Sequence, residues 1–414
     1  MSFAAGEAAA RRPSLSATLA ICTASQALAT SSILALAAIT PIVARSLSIY
    51  SYWIGYQVSL IYFAGIFASA VSGSLIKRWG AARVGQIGLL CAAFGLLGLA
   101  TGKVPAMIVS SLLLGVGYAC NNPSSSHMLQ RLAPSRLRNV IFSIKQAGVP
   151  LGGVLAALSM PPLSEAVGWQ WALIIAAIPC LVLGMTFGLL REWWDDDRKP
   201  QTLVGVGAVW EGQKRVWARS DLRLVSMLGM LYAAVQLSVS AFTVTMLVSE
   251  LGWTTVQAGA VAAAVQVCGA IGRVVWGVVA DLLGAGFLVL ALLGLMIGLC
   301  CIALLWSHGL TVRADIAILC VLGASAIGWN GVMLAETARL SALSAAAGSG
   351  TLTGDVMVYT FIGVVIGPSA FAFAYGHIGS YTISFALFSI PALVGGVIAL
   401  WGHLRSQSLV RRRS

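Results

Sequence analysis

The apolar positions of this chain come in long unbroken blocks. Twelve are visible, at about 17–43, 52–76, 84–102, 105–128, 140–163, 169–190, 222–248, 255–280, 286–306, 314–338, 354–376 and 380–403. A helix rises 1.5 Å per residue, so roughly 20 apolar residues cross the ~30 Å hydrocarbon layer of a bilayer. The blocks have that length. They lack the alternation over about 10 residues that a membrane barrel strand needs. Backbone groups in lipid find no water, so each segment must satisfy its own N–H and C=O groups, which a helix does. The pattern predicts an all-α integral membrane protein with twelve transmembrane helices, here numbered spans 1 to 12.

The polar stretches between blocks are short, with one exception. Residues 191–221 carry "WWDDDRKP" and then "EGQKRVWARSDLR", and they divide the spans six and six. The expected layout is an N-terminal tail at 1–16, a six-helix half at 17–190, an inter-half loop at 191–221, a second half at 222–403 and a basic tail at 404–414. The basic, Trp-containing part of the loop suits a helix lying along the membrane surface. A flexible charged linker is the alternative.

Composition supplies the reason for this pattern. The 414 residues are 59% hydrophobic and 9% charged, against about 25% charged in soluble domains. The net charge of +12 is a topology signal. With the N-terminus inside, only Arg45, Lys103 and Arg313 of the 25 basic residues fall at outer ends. Lys and Arg concentrate on the cytoplasmic side, so both termini are expected there, in an inner or plasma membrane. The charge is dispersed over loops and no nucleic-acid module is visible, so no nucleic-acid partner is expected. The segment "ARRPSLSATLA" has a twin-arginine look, but the apolar run behind it exceeds a signal peptide's 7–15 residues, so it reads as a retained span. All eight cysteines fall within spans at no metal-ligand spacing. They read as packing residues, with no metal and no cofactor expected. Most tryptophans, including Trp79, Trp169 and Trp194, lie near span ends as an aromatic belt should; Trp276 and Trp329 lie deep.

The two halves repeat. Span 2 ends "GSLIKRWG" and span 8 ends "GVVADLLG"; Gly73, Lys77 and Gly80 correspond to Gly277, Asp281 and Gly284 at an offset of 204 residues. In spans 4 and 10, Gly115, Asn122, Arg131 and Leu132 match Gly323, Asn330, Arg339 and Leu340 at 208. In spans 5 and 11, Gly148 and Gly152 match Gly363 and Gly367 at 215; Gln26 and Gln236 of spans 1 and 7 match at 210. Two six-helix halves of the same orientation are parallel repeats about an axis along the membrane normal.

These motifs resemble the major facilitator superfamily along the whole chain. That family's loop after helix 2 reads roughly G-x-L-x-D-R-x-G-R-R. Gly73, Leu75, Arg78, Gly80 and Arg83 fit it, while Lys77 stands at the aspartate position. The second half keeps Gly277, Asp281 and Gly284 but has Leu282 where arginine is usual. "GVPLGG" in span 5 is similar to the family's G-P-x-x-G-G element, with one residue between Gly148 and Pro150. The resemblance implies two halves rocking around a central cavity walled by spans 1, 2, 4, 5, 7, 8, 10 and 11. It also implies secondary transport by alternating access.

Ionisable groups at membrane depth are costly unless they face protein or water, so they are candidate functional groups. Lys145, beside Gln146, sits about 9 Å into span 5 at 1.5 Å per residue. It either snorkels to the inner headgroups or presents its charge to an anion. Gly148, Gly152 and Gly153 allow close helix contact, and Pro150 bends the span. In span 8, Gln266 and Arg273 share a face; Arg273 packs in a gate with Asp281 or a loop, or its fork binds a carboxylate or phosphate. In span 10, Trp329, Met333 and Glu336 form a stripe beside Asn330, and the repeat maps them onto Asn121, Ser125 and Met128, next to Asn122. Both stripes are expected to wall a cavity. Glu336 either pairs locally with Arg339 or carries a coupling proton. Asp355 either suits the first turn of span 11 or couples protons. Gln26 and Gln236 bond neighbouring helices or contact substrate. His127 in span 4 reads as hydrogen-bonded.

There is no HExxH, GxxxxGK[ST] or GxSxG sequence, so the chain is not expected to be an enzyme or an ATP-driven pump. The reading is a monomeric secondary transporter for a small organic anion of carboxylate type, taken up with protons. The alternative is efflux of amphipathic, drug-like compounds by proton exchange. A membrane enzyme or a transporter-like sensor is the other class.

Overall fold

The computed structural model describes residues 14–134, 137–201, 207–309, 311–342 and 349–411. Among them are twelve helices long and apolar enough to cross a membrane. Their edges follow the apolar blocks closely. Span 1 is Leu15–Ala38, span 2 Trp53–Trp79, span 3 Ala81–Ala100, span 4 Val104–Leu132, span 5 Ile141–Val167 and span 6 Trp169–Leu189. Span 7 is Ser220–Ser249, span 8 Thr255–Leu283, span 9 Gly286–Ser307, span 10 Val312–Thr337, span 11 Asp355–Ile378 and span 12 Tyr381–Arg405. The inter-half loop contains a helix at Gly207–Ala218, which selects the helical reading of that segment over the flexible linker.

Span 12 is interrupted at Phe388, and spans 5 and 10 are interrupted where the sequence gives a local reason. Span 5 is built of Arg138–Gln146 and Gly148–Val167. Pro150 has no N–H for the Gln146 carbonyl, and its ring crowds that carbonyl, so the ladder breaks between them. Span 10 stops at Ala326 and restarts at Trp329. An added Cβ at Gly328 would lie 2.8 Å from the Trp276 ring, and the backbone turns there to let spans 8 and 10 touch. Span 11 differs from expectation: its helix begins at Ser349, so Asp355 lies nearly two turns in and is not a first-turn residue.

The chain packs as two compact units. The first gathers spans 3, 4 and 6 with the Lys/Arg-rich ends of spans 1, 2 and 5. Small residues let its helices close on one another, as membrane helices require. At Gly88 an added Cβ would lie 3.0 Å from the Gly117 carbonyl oxygen, and at Gly117 it would lie 2.7 Å from that of Gly88. Leu89, Ala92, Met128, Leu129 and Phe187 fill the core, and Trp194 packs at a tilt against Phe187 with ring centroids 5.5 Å apart.

The second unit gathers spans 7 to 12, the linker helix and the opposite ends of spans 1, 2 and 5. Its division from the first therefore cuts across three spans. Within it, Gly55 of span 2 sits where a Cβ would lie 2.7 Å from Phe242 and 2.9 Å from Ala372. Gly259 of span 8 fits against Pro161 of span 5 in the same way. An aromatic column runs through Phe242, Phe371 and Phe385, with centroids 4.3 and 4.7 Å apart. Trp169 and Trp194, expected in the belt, are buried instead; the Trp169 indole N–H donates to Ser46 Oγ at 3.0 Å.

Candidate functional site

In the first unit, the broken span 5 places Lys145 in the last turn before the interruption. Its side chain is 1% exposed. It does not snorkel to the surface. The ammonium donates to Asn122 O at 3.2 Å, to Asn122 Oδ1 and to Ser126 Oγ at 2.9 Å. All three acceptors are neutral, and among the described residues no carboxylate pairs with it. Asn122 and Ser126 are one turn apart on span 4, so their shared face was readable from spacing.

The first unit also holds buried polar atoms that lack partners among the described residues. Gln26 is buried on span 1, where its Cβ would meet a Cβ at Gly148 at 2.9 Å, and its Oε1 has no hydrogen bond among the described residues. Asn121 is fully buried with neither amide atom bonded among the described residues. Buried amides are ordinarily satisfied, so each such atom calls for a ligand or water. Gly148 and Gly152 lie against the Thr23 and Ala27 carbonyls of span 1; Pro150 and Gly153 are buried beside them.

In the second unit, Gln236 accepts a hydrogen bond from the Trp329 indole at 3.0 Å. Trp329 packs edge-on against Tyr232, whose hydroxyl donates to the Leu290 carbonyl at 2.7 Å. Trp329 and Met333 are 0% exposed, and Asn121, Ser125 and Met128 are buried as well. The two repeat-related stripes expected to wall a cavity are therefore packed inside their own units; Asn330 is half-buried. Gln266 reaches Ser240 Oγ at 3.4 Å. Arg273 donates to the Ile327 carbonyl at 3.2 Å. That carbonyl lies at the break in span 10, so the backbone there supplies one partner of Arg273. Asp281 is exposed.

The two carboxylates considered for proton binding each hold an arginine. Glu336 is 5% exposed and is held by Arg339, whose Nε lies 3.1 Å from both carboxylate oxygens. Asp355 takes a fork from Arg215, with Nε at 3.2 and Nη2 at 3.0 Å. Gln213 donates to the Asp355 carbonyl at 3.3 Å. The linker helix thus fastens to span 11 through a basic residue that no spacing rule singled out. His127 bonds Asp197 at 2.7 Å, as expected of a merely bonded histidine.

The motif after span 2 forms a turn. Gly80 has φ +96°, a conformation that glycine alone enters freely, and Asp195 fills the space a Cβ would take. The Asp195 carboxylate accepts from the Ala82 and Arg83 amides at 2.7 and 3.1 Å, capping span 3. Burial raises its pKa above the ordinary carboxylate value, against the pull of those two amides, Arg191 and Arg198. Lys77 is exposed, and its carbonyl accepts from the Lys199 amide at 2.6 Å. In the second half Gly284 has φ +57° and nothing within reach of its Cβ position; Gly73 and Gly277 are equally open.

Twelve spans, halves matching by residue offset, and buried polar groups on broken helices define a duplicated polytopic membrane protein. The chain belongs to the Major Facilitator Superfamily, whose family model matches residues 19–368. It is 24% identical over 161 residues to the probable metabolite transport protein CsbC of Bacillus subtilis, covering 39% of this chain and 34% of that protein. It is 30% identical over 146 residues to the 3-(3-hydroxy-phenyl)propionate transporter of Escherichia coli K12, covering 33% and 34%. It is 28% identical over 144 residues to the galactose-proton symporter of the same organism, covering 34% and 31%. The chain thus spans about a third of the length of these relatives. A peptide transporter POT solved in complex with sulfate has the same fold, with TM-score 0.72, 18% identity and 94% of each chain covered.

Proposed function

We propose that the protein is a secondary transporter that takes up a small organic anion of carboxylate type together with protons, by alternating access. The observation that supports the anion is Lys145. A buried ammonium held only by neutral oxygens has an uncompensated charge, and burying a charge is costly unless it is paired. An incoming carboxylate supplies the missing partner. The E. coli relative named for an aromatic propionate supports the same substrate class. Arg273 is the second cation for this role, and Glu336 and Asp355 are the coupling carboxylates.

Efflux of amphipathic compounds draws less support, because Trp329, the aromatic residue that favours it, is buried and satisfied by Gln236. The test is uptake into sealed proteoliposomes with an imposed pH gradient. Anion uptake that depends on the gradient and falls in Lys145→Ala supports the proposal. Unchanged anion kinetics in both Lys145→Ala and Arg273→Ala would sink the anion. Unchanged gradient dependence in both Glu336→Gln and Asp355→Asn would remove those carboxylates from coupling.

A further inference from the structure

At the Lys/Arg-rich end of the first unit lies a cavity of about 560 Å³ that the transport reading leaves unused. Arg78 and Trp79 from the end of span 2, Arg83 and Ile87 from span 3, and Arg191 and Arg198 from beyond span 6 line it. The position is the interfacial depth of the bilayer: span 2 ends at Trp79, span 3 begins at Ala81 and span 6 ends at Leu189. Trp79 is 42% exposed there, as an interfacial indole should be.

The charge of this cavity is poorly balanced. Asp195 lies 3.6 Å from Arg191 Nε and is also within the pull of Arg198, but both its oxygens are engaged by the Ala82 and Arg83 amides. Asp196 and Asp197 form ion pairs with Arg131. No ion pair with Arg78, Arg83 or Arg198 occurs among the described residues; Arg83 Nη1 donates to the neutral Gln86 at 2.6 Å. Four arginines therefore line one concave site with an apolar wall of indole and isoleucine. A planar fork matches phosphate geometry, and basic pockets between helices at this depth take lipid headgroups.

We propose that Arg78, Arg83, Arg191 and Arg198 form a binding site for the phosphodiester headgroup of an anionic phospholipid in the adjoining leaflet. The lining holds four arginines and no carboxylate, so the site favours phosphatidylglycerol over phosphatidylethanolamine or phosphatidylcholine. The apolar wall and the interfacial depth favour a lipid over a phosphate from solution.

The test is native mass spectrometry of the full chain in detergent, titrated with short-chain phosphatidylglycerol, phosphatidylethanolamine and phosphatidylcholine, and separately with inorganic phosphate. The variant is Arg78→Gln with Arg198→Gln, which spares Arg191 and Arg83, whose side chains lie against Asp195 and Gln86. Each basic residue near an anionic lipid contributes roughly fivefold in affinity, so the double variant should bind phosphatidylglycerol about 25-fold more weakly. Lys103→Gln, at the opposite membrane face, should leave binding unchanged. Equal retention of the three lipids by the native protein would overturn the proposal. So would undiminished phosphatidylglycerol binding in the double variant. Displacement of the lipid by millimolar inorganic phosphate would overturn the lipid as occupant. Should the double variant fail to fold, the lipid series on the native protein still decides.

Discussion

Span 5 lies on span 1 as span 11 lies on span 7, and the two contacts are made by the same device. Gly148 and Gly152 sit against the carbonyls of Thr23 and Ala27; Gly363 and Gly367 sit against those of Met230 and Ala234. The partners are 207 residues apart and the glycines 215, so the duplication is preserved at the level of single carbonyl groups. The chemistry beside the contact is not preserved. Three residues before the first glycine stands Lys145 in one unit and Thr360 in the other. Span 5 breaks at that point, while the helix of span 11 runs unbroken from Ser349 to Ile378. The comparison separates two jobs: the glycine contacts hold and hinge helices, and what the repeat does not copy is where recognition should be sought.

The strongest way to break this comparison is to remove the unlike residue. Lys145→Ala should lower anion uptake at subsaturating substrate about 100-fold, within the ~2–5 kcal/mol that losing one partner of a buried charge pair costs. Lys145→Arg, which keeps the charge, should retain part of it. The measurement is initial rate in proteoliposomes. A Lys145→Ala protein transporting at the native rate would make Lys145 a packing residue like Thr360.

Next in size is the shared device itself. Gly152→Ala and Gly367→Ala each drive a Cβ into a backbone carbonyl that cannot move aside. Each should cost about 1–3 kcal/mol, as overpacking does, read as a lowered Tm in detergent. Gly73→Ala has open space and should act in the opposite direction, gaining up to about 1 kcal/mol from helix propensity. Equal effects at all three glycines would mean that the carbonyl contacts are not what holds the helices.

Much of this was legible before any coordinates. Apolar blocks against ~30 Å of hydrocarbon fix twelve helices to within a few residues, because length and hydropathy are one-dimensional quantities. The repeat is legible because glycines at helix contacts tolerate no Cβ. The break in span 5 was half legible: Pro150 marks a bend, and its missing N–H locates the interruption at Gln146. What sequence conceals is which way a polar residue in a span points. Trp329 and Asn121 look alike on paper to cavity-facing residues, yet both are buried within their units. Asp195 was hidden for a different reason. It lies more than a hundred residues from the amides it caps, and no local pattern links "WWDDD" to Gly80.

That cap gives a smaller test of how far the halves differ. Asp195 plugs the Gly80 turn, whereas nothing lies within 4 Å of the Cβ position at Gly284. Asp195→Asn keeps the shape but turns an NH2 group toward one of the two amides of span 3, which then lacks its acceptor. It should lower stability by about 1 kcal/mol, the usual scale for a helix N-cap. Asp281→Asn, at an exposed carboxylate, should fall within about 0.5 kcal/mol of the native protein. Chemical denaturation of the purified variants compares them directly. Equal losses would make the second turn as dependent on its acid as the first.

The smallest effect is expected at the counterpart of Lys145. Thr360 is 6% exposed, and its hydroxyl finds no hydrogen-bond partner among the described residues. A buried hydroxyl without a partner carries a desolvation penalty that a methyl group of the same shape does not. Thr360→Val should therefore leave Tm unchanged or slightly raised and uptake within about twofold of native. If Thr360→Val instead abolished transport, the hydroxyl would have to meet substrate or a bound water during the cycle. The two repeat positions would then be joint contributors to recognition, despite their different chemistry.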